Sequence, residues 1–199
     1  MLFAGSSEEC HVRLIMNRGS DHGKLFERLS STVDRLWIAA SRRPVVIEVS
    51  DTMPGPPEVV WALITDWEHQ DDWMLEASNF ELIGEQREGV GVEARGTVRI
   101  AGIRTRDKVR VSMWEPPRIL VIDHLGWVKG AGEIQLQPVS EGTRMRWRET
   151  LFAPKLLGPV GRLGLRMAAP LMKRVFRRDM RVLQSLVRLR ADERGEADS

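Results

Sequence analysis

Alternation of apolar and polar positions is clearest in two stretches of the chain. In Thr105-Arg106-Asp107-Lys108-Val109-Arg110-Val111-Ser112-Met113 the odd positions are mainly apolar and the even ones mainly basic, and Thr143-Arg144-Met145-Arg146-Trp147-Arg148-Glu149 repeats that phase. A period of two sends successive side chains to opposite faces, so each stretch predicts a strand with one wet and one buried face. Between Phe80 and Leu151 further strand candidates are separated by turn signals at Gly89-Val90-Gly91, Ala101-Gly102, Glu115-Pro116-Pro117, Lys129-Gly130 and Ser140-Glu141-Gly142. Consecutive hairpins of this kind make an antiparallel meander.

The period changes on either side of the meander. Val45-Val46-Ile47-Glu48-Val49 is a short β-rich run that Pro54-Gly55-Pro56-Pro57 ends, and proline at a helix start predicts a short helix over Glu58 to Ile64. Asp66 is placed to cap a second short helix ending near Trp73. After Pro154 the pattern is helical to about Ala191. Leu165, Ala169, Met172, Phe176, Met180, Leu183 and Val187 fall on one stripe, widened by Leu163, Met167, Leu171, Val175 and Leu186, with Arg162, Arg166, Lys173, Arg177 and Arg181 opposite. Pro170 lacks the N–H a helix needs and predicts a kink or a split.

These patterns divide the chain into residues 1–43, an extension with one amphipathic helix; 44–191, the domain proper; and 192–199, a polar tail. In the extension Leu25, Phe26, Leu29, Val33, Leu36, Trp37 and Ala40 recur at helical spacing behind Ser20 or Asp21. Packing on the domain, binding a partner, loose attachment and a start codon assigned too far upstream all account for it.

With 199 residues, 42% of them hydrophobic, the chain is long enough for one core and short for two. A net charge of only +2 argues against a surface built to neutralise nucleic acid. Cys10 has no internal partner, no apolar run approaches the roughly 20 residues of a membrane span, and the first residues lack a secretory pattern, so a cytoplasmic location is expected.

The order of strand, helix corner, six-strand meander and long helix is already restrictive, and specific residues add to it. Val60-Trp61-Ala62-Leu63-Ile64-Thr65-Asp66-Trp67 with Asp72-Trp73-Met74 resembles the helix corner of the START-like (SRPBCC) superfamily, in its polyketide cyclase/dehydrase branch. Trp114-Glu115-Pro116-Pro117-Arg118 between two strands, and Gly142 to Glu149 on the last strand, carry the same resemblance. It implies an α+β helix-grip fold, a seven-stranded antiparallel sheet curled around the C-terminal helix with two short helices after the first strand. It also implies a cavity for a small hydrophobic or aromatic ligand, lipid- or polyketide-like, in some relatives with cyclase/dehydrase-type activity. No catalytic set is shared across the superfamily, so none carries over.

Inward apolar positions are either ordinary core or ligand wall. Trp67, Trp73, Phe80, Val98, Val109, Val111, Met113, Val121, Trp127, Ile134, Trp147, Met167, Leu171 and Met172 are the candidates. Among polar residues, extended alternation places Asp107, Asp123 and Glu149 on the valine face, where a buried carboxylate is costly without a use. Pairing Met113 with Ile119 across the Pro116-Pro117 turn sets Asp107 opposite Leu125 and Asp123 opposite Val109. The three carboxylates are then either a base or polar anchor, joined by Arg95, or groups at a cavity mouth that are hydrated or paired with Arg residues from loops and the helix. Asp123 and His124, adjacent on one strand, point to opposite faces and do not act as a pair. His69-Gln70-Asp71-Asp72 sits at an exposed corner without metal-ligand spacing, so no metal is expected. No nucleophile elbow, phosphate loop or dinucleotide fingerprint occurs, and no cofactor is called for. Tyrosine is absent, which leaves Asp, Glu, His or Arg for any proton transfer. The alternating arginines read as a solvated sheet face, with no nucleic-acid partner expected and weak contact with a membrane surface as the alternative. The competing class is a non-catalytic interaction protein that engages a protein partner or a membrane through its basic face or N-terminal helix.

Overall fold

The computed structural model describes residues 43–100 and 103–197. The amphipathic helix expected between Leu25 and Ala40 lies outside them. Strand β1 (Val45–Met53) leads into helix α1 (Pro57–Ile64), a 3-10 turn (Trp67–Asp72) and then six strands: β2 (Ala77–Ile83), β3 (Glu93–Ile100), β4 (Ile103–Glu115), β5 (Ile119–His124), β6 (Lys129–Val139) and β7 (Gly142–Phe152). A short 3-10 turn (Lys155–Leu157) precedes the long helix α2 (Gly158–Ala197).

All seven strands form one antiparallel sheet in the order β1-β7-β6-β5-β4-β3-β2. The meander accounts for β2 to β7, and β1 returns to pair beside β7, from Val45 opposite Leu151 to Met53 opposite Thr143. Buried positions alternate along β7 at Thr143, Met145, Trp147, Glu149 and Leu151, which is the phase its sequence predicts. The helix stripe is buried from Met172 onward, through Phe176, Met180, Leu183 and Val187. Each such side chain contributes about 1.5–3 kcal/mol on leaving water, so this stripe carries much of the attachment of α2. Trp147 stacks on Phe176 at 4.5 Å, and Trp73 meets Trp147 edge-on at 5.7 Å, joining sheet, helix and corner.

Three local expectations change. The second short helix is a 3-10 turn that Asp66 does not cap through its side chain; the corner is instead tied by Gln70, which is buried and donates to the carbonyls of Ile64 and Asp66, both at 3.0 Å. That corner is therefore not wholly exposed. Pro170 does not split α2, because it sits at an exposed position where water can satisfy the carbonyl it leaves without a donor. Helix α2 also continues to Ala197 rather than stopping near Ala191.

Candidate functional site

A cavity of about 110 Å³ lies against the concave side of the sheet. Ile64, Trp67, Gln70, Trp73, Met74, Phe80, Val98, Val109, Ile122, Ile134, Trp147, Val175 and Phe176 make most of its wall. Into this apolar lining project two polar clusters, one from the sheet and one from beneath α2.

The sheet cluster centres on His124, the last residue of β5. Its Nδ1 lies 2.6 Å from Asp107 Oδ2 on β4, and its Nε2 lies 3.1 Å from Glu149 Oε2 on β7. The other carboxylate oxygens are engaged too: Asp107 Oδ1 accepts the backbone N–H of Gly126 at 3.0 Å, and Glu149 Oε1 accepts the indole N–H of Trp147 at 2.8 Å. Burial alone would push the imidazolium down. The hydrogen bonds to Asp107 and Glu149, with the charges of those carboxylates, more than reverse it and hold His124 at about 10. At neutral pH both ring nitrogens therefore donate, and the cluster is one cation between two anions.

Local sequence explains how residues on three strands meet. Strand β6 lies between β5 and β7, so Glu149 and His124 meet across it. It carries glycine at both positions concerned: Gly130 faces His124, and Gly132 faces Glu149. A Cβ on Gly132 would lie 2.5 Å from Glu149 Oε1, and one on Gly126 would run into Asp107 Oδ1. Both glycines thus leave the room that the two carboxylates occupy, and a side chain at either would displace the carboxylate from its hydrogen bonds.

The second cluster is less well satisfied. Asp179 of α2 is buried, borders the cavity with Glu76, and is pushed up to about 6 by burial and by the charge of Glu76, against the pull of Arg178. Arg178 Nη2 contacts both Glu76 oxygens at 2.5 Å and Asp179 Oδ1 at 3.2 Å, yet its buried Nε has no partner among the described residues. The buried indole N–H of Trp73, in the cavity wall, also lacks an acceptor there.

Comparison with known proteins places this architecture. The model for "Polyketide cyclase / dehydrase and lipid transport" matches residues 44–188. The chain belongs to this family. An uncharacterised protein of Mycobacterium tuberculosis (strain H37Rv) is 25% identical over 117 residues, covering 58% of this chain and 82% of its own. A crystal structure of a Thermus thermophilus protein superposes with a TM-score of 0.62 at 20% identity, over 74% of this chain and 99% of that one. The aromatase/cyclase Zhui from Streptomyces sp. R1128 gives 0.56 at 17% identity, over 76% and 96%. At these identities the structural likenesses establish the fold, α+β with a seven-stranded antiparallel sheet and a long C-terminal helix.

Within this family member the side chains predicted for the site separate into three groups. Trp67, Trp73, Phe80, Val98, Val109, Ile134 and Trp147 border the cavity, as do Asp107 and Glu149. Val111 and Met172 are buried in the core without bordering it. The rest lie elsewhere. Asp123 is opposite Arg110 and accepts a hydrogen bond from Ser112 Oγ at 3.1 Å on the outer face. The cause is register: Glu115 pairs with Ile119 and Met113 with Val121, and a bulge at Ser112 then brings Val109 opposite His124. A one-residue offset exchanges the faces of a strand, so His124 points in while Asp123 and Val121 point out. The same bulge turns Met113 outward, where it is exposed. Arg95 follows the outer phase of β3, 3.4 Å from Glu81. Trp127 is exposed in the β5–β6 loop, and Met167 and Leu171 are exposed on α2. His124 is the residue that sequence reasoning misses. Its signal is the pair of glycines at 126 and 132, which leaves room for the two carboxylates that His124 joins, Asp107 and Glu149.

Proposed function

We propose that this protein binds a small apolar molecule, about the size of one ring and carrying a hydrogen-bond donor, in the cavity between sheet and α2. The observation that carries this reading is the Asp107–His124–Glu149 cluster set into an otherwise apolar wall. Each carboxylate oxygen accepts one hydrogen bond and retains a second acceptor position, so the cluster suits a ligand hydroxyl or amine. Size sets a single ring as the upper limit, since the cavity of about 110 Å³ is smaller than the apolar cavity of about 150 Å³ that accommodates benzene; a larger polyketide- or lipid-like molecule would require α2 or the Trp67–Asp72 turn to move.

Anchoring fits this cluster better than base catalysis, because a histidine held at about 10 keeps its proton at neutral pH. A cyclase/dehydrase role would use His124 as an acid, giving its proton to a departing hydroxyl that leaves as water, while the carboxylate that lets go of the ring takes a proton from the adjacent carbon and a C=C bond forms. The test is a titration of the intact chain with phenol and with anisole, which differ in the donor, followed by tryptophan fluorescence. Phenol should bind at least about tenfold more tightly, and Glu149→Gln should shrink the difference. Equal affinities, or no binding of either, would overturn the reading.

A further inference from the structure

The amino-terminal part of α2 is apolar on two faces. The inner stripe packs on the sheet from Met172 onward, whereas Leu156, Val160, Leu163 and Met167 are 93%, 68%, 58% and 75% exposed. At 100° per residue Val160, Leu163, Met167 and Leu171 form one outward strip, and Arg162, Arg166, Lys173 and Arg177 line one flank of it. Large side chains repeated in this way on a wet face are unusual without something to cover them.

Charge indicates what covers the strip. Between Glu149 and Asp179 the sequence contains Lys155, Arg162, Arg166, Lys173, Arg174, Arg177 and Arg178 and not one Asp or Glu, in a chain whose net charge is only +2. A helix with an exposed apolar strip and a basic flank, whose Arg162, Arg166 and Arg177 have no carboxylate within salt-bridge distance among the described residues, has the chemistry of an interfacial helix lying on anionic lipid. No helix among the described residues is long and apolar enough to cross a membrane, so the contact would be with the surface. We propose that the start of α2, with Leu156 just before it, docks the protein onto an anionic bilayer surface. The cavity lining on α2 begins at Val175, one turn beyond Leu171, so the docked strip lies next to the helical wall of the cavity.

Co-sedimentation of the full chain with phosphatidylcholine vesicles, with and without phosphatidylglycerol, tests this. Binding should require phosphatidylglycerol and weaken as salt is raised. Leu163→Asp with Met167→Asp should reduce it at least tenfold, and Arg162→Gln or Arg166→Gln about fivefold each. Circular dichroism would confirm that these surface variants remain folded. The proposal fails if the unmodified chain shows no phosphatidylglycerol-dependent binding, or if the folded Asp variant binds as well as the original. It fails equally if vesicles are ignored and light scattering shows a dimer that the Asp variant dissolves, since the strip would then meet a second copy.

Discussion

The two polar clusters beside the cavity are opposites in how they manage burial. On the sheet, His124 brings one positive charge between two carboxylates, and each of the four carboxylate oxygens has a donor. Beneath α2, two carboxylates share one arginine whose Nε is left without a partner among the described residues, and Asp179 is driven toward its neutral form. A buried charge is tolerated when its hydrogen bonds close and costs stability when they do not. The first cluster should therefore hold the fold together, and the second should weaken it at neutral pH.

Removing His124 gives the largest expected effect. His124→Ala leaves Asp107 and Glu149 facing each other without a cation and should cost about 3–5 kcal/mol at pH 7 in denaturant unfolding. In the unmodified protein the folded pKa of His124 lies above its unfolded value, so its contribution is fully present below about pH 6.5 and is lost as pH rises through about 10. That alkaline loss of stability should be absent in His124→Ala.

Asp179 should behave in the reverse sense. Its pKa is raised on folding from 3.8 to about 6, so the folded state keeps the proton above the usual carboxylate value; stability is unaffected below about 3.8, falls as pH climbs from there to about 6, and stays reduced above. Asp179→Asn should stabilise the protein by about 1–3 kcal/mol at pH 7 and by little at about pH 3.5, read from thermal melts at both pH values. A loss of stability at pH 7 would erase the contrast between the clusters.

Smaller effects sharpen the geometry. Gly132→Ala places a methyl against Glu149 Oε1 and should cost about 1–2 kcal/mol while lowering the His124 pKa toward its ordinary value, measured by NMR titration. Asp123→Ala and Arg95→Ala, both on the outer face, should change stability by less than about 0.5 kcal/mol and leave phenol binding intact.

The fold is readable because its signals are redundant: the alternation in β7, the glycine turns and the stripe from Met172 to Val187 all point to the same architecture. Asp107 and Glu149 emerge for the same reason, on strands whose phase is plain. Strand β5 offers no such phase. Ile119-Leu120-Val121-Ile122 is apolar throughout, so only its pairing decides whether Asp123 or His124 faces in, and a bulge at Ser112 settles that pairing. The outward strip of α2 misleads differently. Met167 and Leu171 satisfy the helical spacing, but spacing cannot tell a core face from a second apolar face that remains in water.

The missing side chains on β6 also have a mechanical consequence. His124 and Glu149 sit two strands apart, a span of about 10 Å between backbones, and the link across it works as a tie-rod over the curved middle of the sheet. A guest that draws Glu149 away for its own use would undo that tie, so occupancy and the stiffness of the sheet would trade against each other.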